Sequence, residues 1–161
     1  MYSLSGRLNA IAFNTLIILT VLSAVNYFTV FFDRKTPIIH KAFKINDYET
    51  FIKDNYIYED ALSFDFDFDA DLTPLFNWNT NLIFTYISCE YNNTKSGYNK
   101  ITIWDKRVPR FDEEEYRLSL KGEFPEYYLT DVNKLLRDVD VTCYLNWEQM
   151  PIVGVSYGSR V

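Results

Sequence analysis

The chain has 161 residues, with 16 Lys or Arg, 22 Asp or Glu and a single His, which gives a formal net charge of −6 and a pI near 4.8. This acidic balance argues against a nonspecific nucleic-acid binder, because such proteins need a basic surface. Hydrophobic residues make up 48% of the chain, which rules out a disordered polypeptide, and the length predicts one folded domain. The aromatic share of 18% favours β-structure.

The first predicted element is a long apolar helix, because residues 8–32 contain no Asp, Glu, Lys, Arg or His. About 20 helical residues cross a bilayer core of about 30 Å, so this run is long enough to span a membrane. The alternatives are a buried core helix and a cleaved signal peptide, whose apolar part is usually about 7–15 residues. The length of the run favours an uncleaved signal anchor. Arg7 on one flank and Arg34 and Lys35 on the other leave the orientation undetermined.

The rest of the chain, residues 33–161, is predicted to be a mainly β domain after a short tail (1–7) and the span (8–32). Alternating or β-branched patterns predict strands over residues 64–72, 82–89, 101–105, 116–120, 139–147 and 152–157. Two weaker segments, 47–55 and 130–138, show helical spacing, the second with Thr130 as its candidate N-cap. Short strands with few helices indicate an antiparallel sandwich or barrel.

Catalytic chemistry has little support in the sequence. His40 is the one histidine, so a Ser/His/Asp or Cys/His site would have to use it. Its position beside Lys41 and Lys44, just after the span, favours a solvated residue. Two cysteines and one histidine cannot fill the four positions of a structural zinc site, and no GxGxxG or P-loop pattern is present. We therefore assign no catalytic residue, no cofactor or cofactor-binding residue and no metal ligand.

An aspartate ladder is the most conspicuous polar pattern. Asp65, Asp67, Asp69 and Asp71 alternate with apolar residues, so they repeat about every 6.8 Å on one strand face. Such oxygens can attract Ca²⁺, but a calcium site needs ligands that converge from a turn, and a straight strand spreads them apart. We expect a solvated face that pairs with Lys or Arg on a neighbouring strand.

The two cysteines and one tripeptide give information on the cellular compartment in which the domain lies. Cys89 and Cys143 lie in predicted strands, where they can pair in an oxidising lumen if their Cα atoms are about 5.5 Å apart. Buried free thiols are at least as well supported. The tripeptide Asn-Asn-Thr that begins at Asn92 is an N-glycosylation acceptor pattern in a predicted turn, so Asn92 is a candidate glycosylation site.

Several segments, taken in order, resemble subunit 3 of the eukaryotic signal peptidase complex, the 22/23 kDa accessory subunit family. The resemblance runs through FDRKTP (32–37), FDFDFDADL (64–72), LFNWN (75–79), LIFTYISCEY (82–91), ITIWDK (101–106) and VTCYLNW (141–147) with Pro151 nearby. The LFNWN and IWDK segments are fairly specific in combination. One departure is that the family often has a sequon before the late strand, where this chain has Asp140, Val141 and Thr142.

The resemblance implies a fold and a role. The fold is a single N-terminal transmembrane helix followed by a mainly antiparallel β-sandwich, with the tail in the cytosol and the domain in the lumen of the endoplasmic reticulum. The implied role is a non-catalytic accessory or scaffold subunit of a serine-type signal peptidase complex, which supports cleavage of signal peptides from nascent secretory proteins. The implied partners are the catalytic subunit, the other small subunits and the lipid bilayer, and not nucleic acid.

Two other functions remain open at this point. One is a membrane-anchored lumenal β-sandwich that binds a carbohydrate or peptide ligand and is unrelated to the peptidase. The other is a membrane-tethered hydrolase that uses His40. Aromatic residues dominate many protein interfaces, which makes Trp78, Trp104 and Trp147 candidate contact residues, but a core position is the expectation for each.

Overall fold

A computed structural model of the chain describes residues 3–52, 60–95, 97–131, 136 and 139–161. One helix, α1 (Leu4–Phe32), precedes the strands of the domain. The described strands are β1 (Ile38–Ile52), β2 (Asp60–Asp71), β3 (Thr80–Asn93), β4 (Gly97–Pro109), β5 (Arg117–Glu123), β6 (Leu129–Asp131), β7 (Thr142–Pro151) and β8 (Tyr157–Arg160). The predicted class, one N-terminal transmembrane helix followed by a mainly antiparallel β domain, is confirmed.

Helix α1 is apolar on every side. It begins after Ser3, whose Oγ accepts a hydrogen bond of 3.2 Å from the Gly6 backbone N–H and so caps the helix. None of its residues is buried against the domain, which excludes the core helix considered above. Its 29 residues extend over about 43 Å, more than a bilayer core requires. The helix starts four residues before the uncharged run and ends with it at Phe32.

Two antiparallel sheets form the domain. In the first, β2 pairs with β1 along one edge and with β5 and β6 along the other. In the second, the strand order is β4-β3-β7-β8. The inward faces of the sheets share one core, in which Phe64, Phe66 and Phe68 of the first sheet and Ile83 and Ile87 of the second are almost fully buried. The period-two pattern of residues 64–72 therefore identifies the core face correctly.

Several boundaries differ from the predictions. Residues 47–52, predicted as part of a helix, belong to β1, because this strand hydrogen-bonds along the length of β2 and that pairing overrides the local spacing. Residues 53–55 lie outside the described residues. Thr130 lies in β6 and is not a helix cap, whereas residues 132–135, 137 and 138 of that prediction are not described. Strand β7 begins at Thr142 and not at residue 139, and residues 152–156 form a turn before β8.

The outer face of β2 carries the aspartates, and basic side chains from both neighbouring strands pair with them. Lys41 of β1 forms an ion pair with Asp67, and Arg117 of β5 lies 3.3 Å from Asp69. The hydrogen bond from Lys41, together with one of 2.8 Å from the Gly122 backbone N–H, lowers the pKa of Asp67 from 3.8 to about 2. The expected pairing with Lys or Arg is confirmed. Among the described residues, no group of three or more His, Cys, Asp or Glu is placed to hold a metal ion.

A disulfide joins the two sequence-distant strands β3 and β7. Cys89 and Cys143 face each other in the register of these strands, with their Cα atoms 4.0 Å apart, and their sulfur atoms are bonded. Cys89 is fully buried. Of the two alternatives that the sequence leaves open, the structure therefore has the disulfide and not the free thiols.

Candidate functional site

The end of helix α1 meets one end of the second sheet, and this junction positions the domain relative to the span. The last two turns of the helix contribute Tyr27, Val30 and Phe31 to a small cleft. The opposite wall is formed by residues of β7, β8 and the turn between them, residues 152–156, here named the β7–β8 turn. The helix and the domain are thus in contact beyond their covalent link.

Arg34 closes one side of the cleft by stacking between two aromatic rings. Its guanidinium carbon lies 4.2 Å from the centre of the Phe31 ring and 3.9 Å from that of Tyr157. Both distances lie within the range of cation–π attraction, which favours the planar guanidinium group in this position. Because Phe31 belongs to α1 and Tyr157 to β8, this one side chain ties the exit of the helix to the edge of the second sheet.

Asn79 holds the β7–β8 turn in place from the opposite side. Its side-chain Nδ2 donates to the Val153 carbonyl at 2.7 Å, and its Oδ1 accepts from the Val153 N–H at 3.1 Å. Its backbone carbonyl accepts from the Ile152 N–H at 2.7 Å. The side chain is almost completely buried, so these bonds replace water that the amide would otherwise bind. Asn79 therefore pairs with the β7–β8 turn much as a residue of a neighbouring strand would, although the two segments are 74 positions apart in the chain.

Gly154 at the tip of the turn lies close against Tyr27 of the helix. Its φ of +115° is a backbone conformation that residues with a side chain rarely adopt. A Cβ atom at this position would also lie 2.9 Å from Cδ2 of Tyr27, closer than carbon atoms approach without a shift. Both the turn and its contact with α1 thus depend on the absence of a side chain.

We expect Gly154→Ala to lower the free energy of unfolding by about 1–3 kcal/mol, from backbone strain and from the collision with Tyr27. Urea denaturation of the full chain in detergent measures this loss. The matched control is Gly97→Ala, since Gly97 also has a positive φ, +68°, but has open space around it. If Gly97→Ala costs as much, and Tyr27→Ala relieves none of the loss at Gly154, then the contact between turn and helix is not what the glycine protects.

The structure places His40 on the surface of the first sheet. His40 is exposed on β1, near Asp71 at the end of β2. The pKa of Asp71 is lowered chiefly by hydrogen bonding from Thr73, whose backbone N–H donates at 2.8 Å, and to a smaller extent by the charge of His40. Asp71 thereby stabilises the turn that follows β2, and His40 is a solvated surface residue, as expected.

The other candidates fall into two groups. Trp104 and Trp147 are buried in the core, as expected, but Trp78 is 54% exposed and the core prediction for it is wrong. Trp78 lies next to Asn79, and its backbone carbonyl accepts a hydrogen bond of 3.0 Å from Arg110.

The candidate glycosylation site, Asn92, is exposed near the end of β3, opposite Tyr98. Arg34 and Asn79 lie in segments that carry the family resemblance, but the sequence does not predict the junction that they help to form, because its contacts join distant segments.

Comparison with known proteins gives a consistent result. A family model described as "Signal peptidase subunit" matches residues 1–161. A Yarrowia lipolytica protein named "Signal peptidase complex subunit 3" is 43% identical over 96 residues, which cover 58% of this chain and 51% of the relative.

Relatives with the same name occur in other organisms. The Saccharomyces cerevisiae protein is 35% identical over 98 residues, covering 60% of this chain and 52% of the relative, and the Homo sapiens protein is 36% identical over 91 residues, covering 56% and 49%. The chain thus spans about half the length of the curated relatives it matches. From the family match along all 161 residues, with an apolar helix and a two-sheet domain in the expected order, we conclude that the chain belongs to the signal peptidase subunit family.

Proposed function

We propose that this chain is a non-catalytic accessory subunit of the signal peptidase complex in the membrane of the endoplasmic reticulum. It supports the separate, serine-type catalytic subunit in the cleavage of signal peptides from nascent secretory proteins. The observation that carries the proposal is the family match over residues 1–161. The partners are the catalytic subunit, the other small subunits of the complex and the bilayer.

The proposed topology has residues 1–7 in the cytosol, residues 8–32 in the membrane and residues 33–161 in the lumen. The Cys89–Cys143 bond supports this orientation, because structural disulfides persist in the oxidising lumen and are rare in the cytosol. The length and the uncharged character of α1 support a permanent anchor.

The architecture suits a scaffold, because a scaffold has to hold a surface at a fixed place. The two sheets share a single core, the cleft contacts and Arg34 join one end of the second sheet to α1, and Asn79 holds the β7–β8 turn that takes part in this contact. A protease bound to such a domain would be held at a constant height above the membrane. This role requires shape and rigidity, and it requires no acid–base pair from this chain.

The experiment that tests the proposal is purification of the tagged full chain from its own cells in mild detergent, followed by mass spectrometry. We expect the catalytic peptidase subunit to co-purify, and we expect depletion of the chain to leave secretory precursors uncleaved. A free ligand-binding module would purify without the peptidase, and its depletion would leave precursor processing normal.

The variant His40→Ala distinguishes the proposed scaffold function from the alternative hydrolase function. Because His40 is exposed on β1 and the proposed role assigns it no catalytic step, a copy with alanine at this position should restore processing in depleted cells. A variant that assembles with the complex and still fails to restore processing would support the hydrolase instead.

We also propose that Asn92 carries an N-linked glycan, and the test is a shift in electrophoretic mobility. Asn92 is exposed, and the acceptor pattern continues to Thr94, which is exposed as well. Endoglycosidase treatment of the chain from cells should increase its electrophoretic mobility by the amount that corresponds to the loss of one glycan, and Asn92→Gln should have the same effect. Thr94→Ser keeps the acceptor pattern and should keep the glycan. An untreated wild-type chain that already migrates with the Asn92→Gln variant would refute the assignment.

A further inference from the structure

Three exposed apolar side chains belong to the loops beside the cleft where α1 meets the domain: one lines the cleft, and the other two are next in sequence to lining residues. They are Trp78, Ile152 and Val155, which are 54%, 58% and 72% exposed, and they are named the apolar rim here. They belong to two loops that Asn79 binds together, since its side chain and backbone pair with Val153 and Ile152. The rim is therefore one fixed surface made of two loops.

The rim lies at the depth where the helix leaves the hydrocarbon of the bilayer. Arg7 is the last charge before the uncharged run, and the 20 residues from position 8 to Tyr27 extend over about 30 Å, the thickness of a typical bilayer core. For an upright helix, Tyr27 therefore lies at the far boundary of the core, a level at which tyrosine is enriched, and residues 28–32 lie in the membrane interface. The β7–β8 turn touches Tyr27 through Gly154, so the rim is at this level too.

The composition of both loops agrees with contact to lipid. Residues 72–89 and 149–159 contain no Asp, Glu, Lys or Arg, in a chain that is 24% charged. A charge at this depth would be costly, whereas tryptophan and aliphatic side chains gain by leaving water. Arg34 lines the same cleft seven residues beyond Tyr27 in the chain, and a long cationic side chain there can reach the headgroup region.

The acidic residues at this end of the domain follow the strand that is farthest from the β7–β8 turn. Residues 112–115 are all Asp or Glu and follow β4. Strand β4 is the edge of the second sheet opposite β8, three strand spacings or about 14 Å from it. The β7–β8 turn is thus the part of the rim farthest from these acids, whereas Trp78 lies nearer to them, because Arg110, two residues before Asp112, donates a hydrogen bond of 3.0 Å to its carbonyl.

We propose that the apolar rim inserts into the lipid interface beside α1 and gives the domain a second membrane contact. The occupant is the boundary between the headgroups and the acyl chains, and the contact is apolar, so it needs no anionic lipid. This inference goes beyond the accessory role proposed above. It rests on α1 as a membrane span and not on any subunit of the complex.

The test uses Trp78 as a built-in probe, because it is the only exposed tryptophan of the three in the chain. The full chain is reconstituted into phosphatidylcholine nanodiscs with lipids brominated on the acyl chains near the headgroup, or with plain lipids. We expect brominated lipids to quench part of the tryptophan emission. The variant Trp78→Phe keeps the rim apolar and should lose that quenching, since Trp104 and Trp147 are in the core.

A second readout places a fluorophore directly on the rim. Since Cys89 and Cys143 are bonded to each other, Val155→Cys offers one free thiol for an environment-sensitive dye. Its emission should shift to the blue in nanodiscs. The control is Lys95→Cys, an exposed position beyond the far end of the 14-residue strand β3, about 45 Å from the rim end, where no shift is expected.

Two results would overturn the proposal. One is wild-type emission that brominated lipids do not change, in nanodiscs that demonstrably contain the chain. The other is a dye shift at Val155→Cys that occurs in the isolated chain but disappears in the assembled complex, because the rim would then be covered by another subunit. Co-purification of the catalytic subunit is measured separately, so failure here leaves the accessory role standing.

Discussion

Reduction of the Cys89–Cys143 disulfide is expected to lower the free energy of unfolding of the domain by about 2–4 kcal/mol. The bond joins residues 54 positions apart, and closing a loop of this length removes much of the conformational entropy of the unfolded chain. Total stabilities of domains are about 5–15 kcal/mol, so the loss would be a large fraction. Urea denaturation of the full chain in detergent, with and without reductant, measures it.

The control for this prediction is the double variant Cys89→Ala, Cys143→Ala. It should unfold at a lower urea concentration than the oxidised wild type, and reductant should not change its midpoint. A wild-type midpoint that reductant leaves unchanged, with loss of the bond verified by thiol titration, would contradict the prediction. The same thiol titration on freshly isolated membranes reports whether the bond is formed in the cell, and so tests the proposed lumenal location.

The second large effect is expected at the junction, where Asn79→Ala should cost about 2–4 kcal/mol. The substitution removes two side-chain hydrogen bonds and leaves the N–H and the carbonyl of Val153 without these partners, and each unsatisfied group costs about 1–3 kcal/mol. Urea denaturation measures the total. Hydrogen exchange measures the local effect, which should be faster exchange of the β7–β8 turn than of the core strands.

Asn81→Ala provides the matched comparison. Asn81 is the same residue type two positions along the chain, and it is exposed, so its replacement should change stability by less than about 0.5 kcal/mol. Equal losses at both positions, or an unchanged exchange rate in the β7–β8 turn of Asn79→Ala, would show that the amide of Asn79 does not hold the turn.

The elements that the sequence predicts well are those whose signal is local and repeated. Strict alternation in residues 64–72 gives both the strand and its buried face, and a long run without charge gives α1. Helical spacing in residues 47–55 misleads, because β1 gains its hydrogen bonds from β2, which a local pattern does not contain. The apolar residues of segment 152–156 predict a strand. The positive φ of Gly154 does not fit an extended strand, so the segment forms a turn.

The functional site was harder to predict for the same reason. The family resemblance included Trp78 and Asn79 within one segment, but nothing local indicates that Asn79 bonds to a turn 74 residues later. The position of Arg34 between Phe31 and Tyr157 likewise requires the end of α1 and the last strand, β8, to be placed. Pairing of Cys89 with Cys143 depends on the register of β3 and β7, which the sequence left open.

The contact between α1 and the second sheet has a mechanical consequence. A helix whose apolar length exceeds the thickness of the surrounding lipid tilts, and the mismatch sets the size of the tilt. Because the cleft, Arg34 and Gly154 join the helix to the sheet edge, the sandwich has to lean together with its anchor. The thickness of the bilayer would thus set the tilt angle of the domain relative to the membrane. Local thinning of the membrane would displace the end of the sheets farthest from α1 by the largest distance.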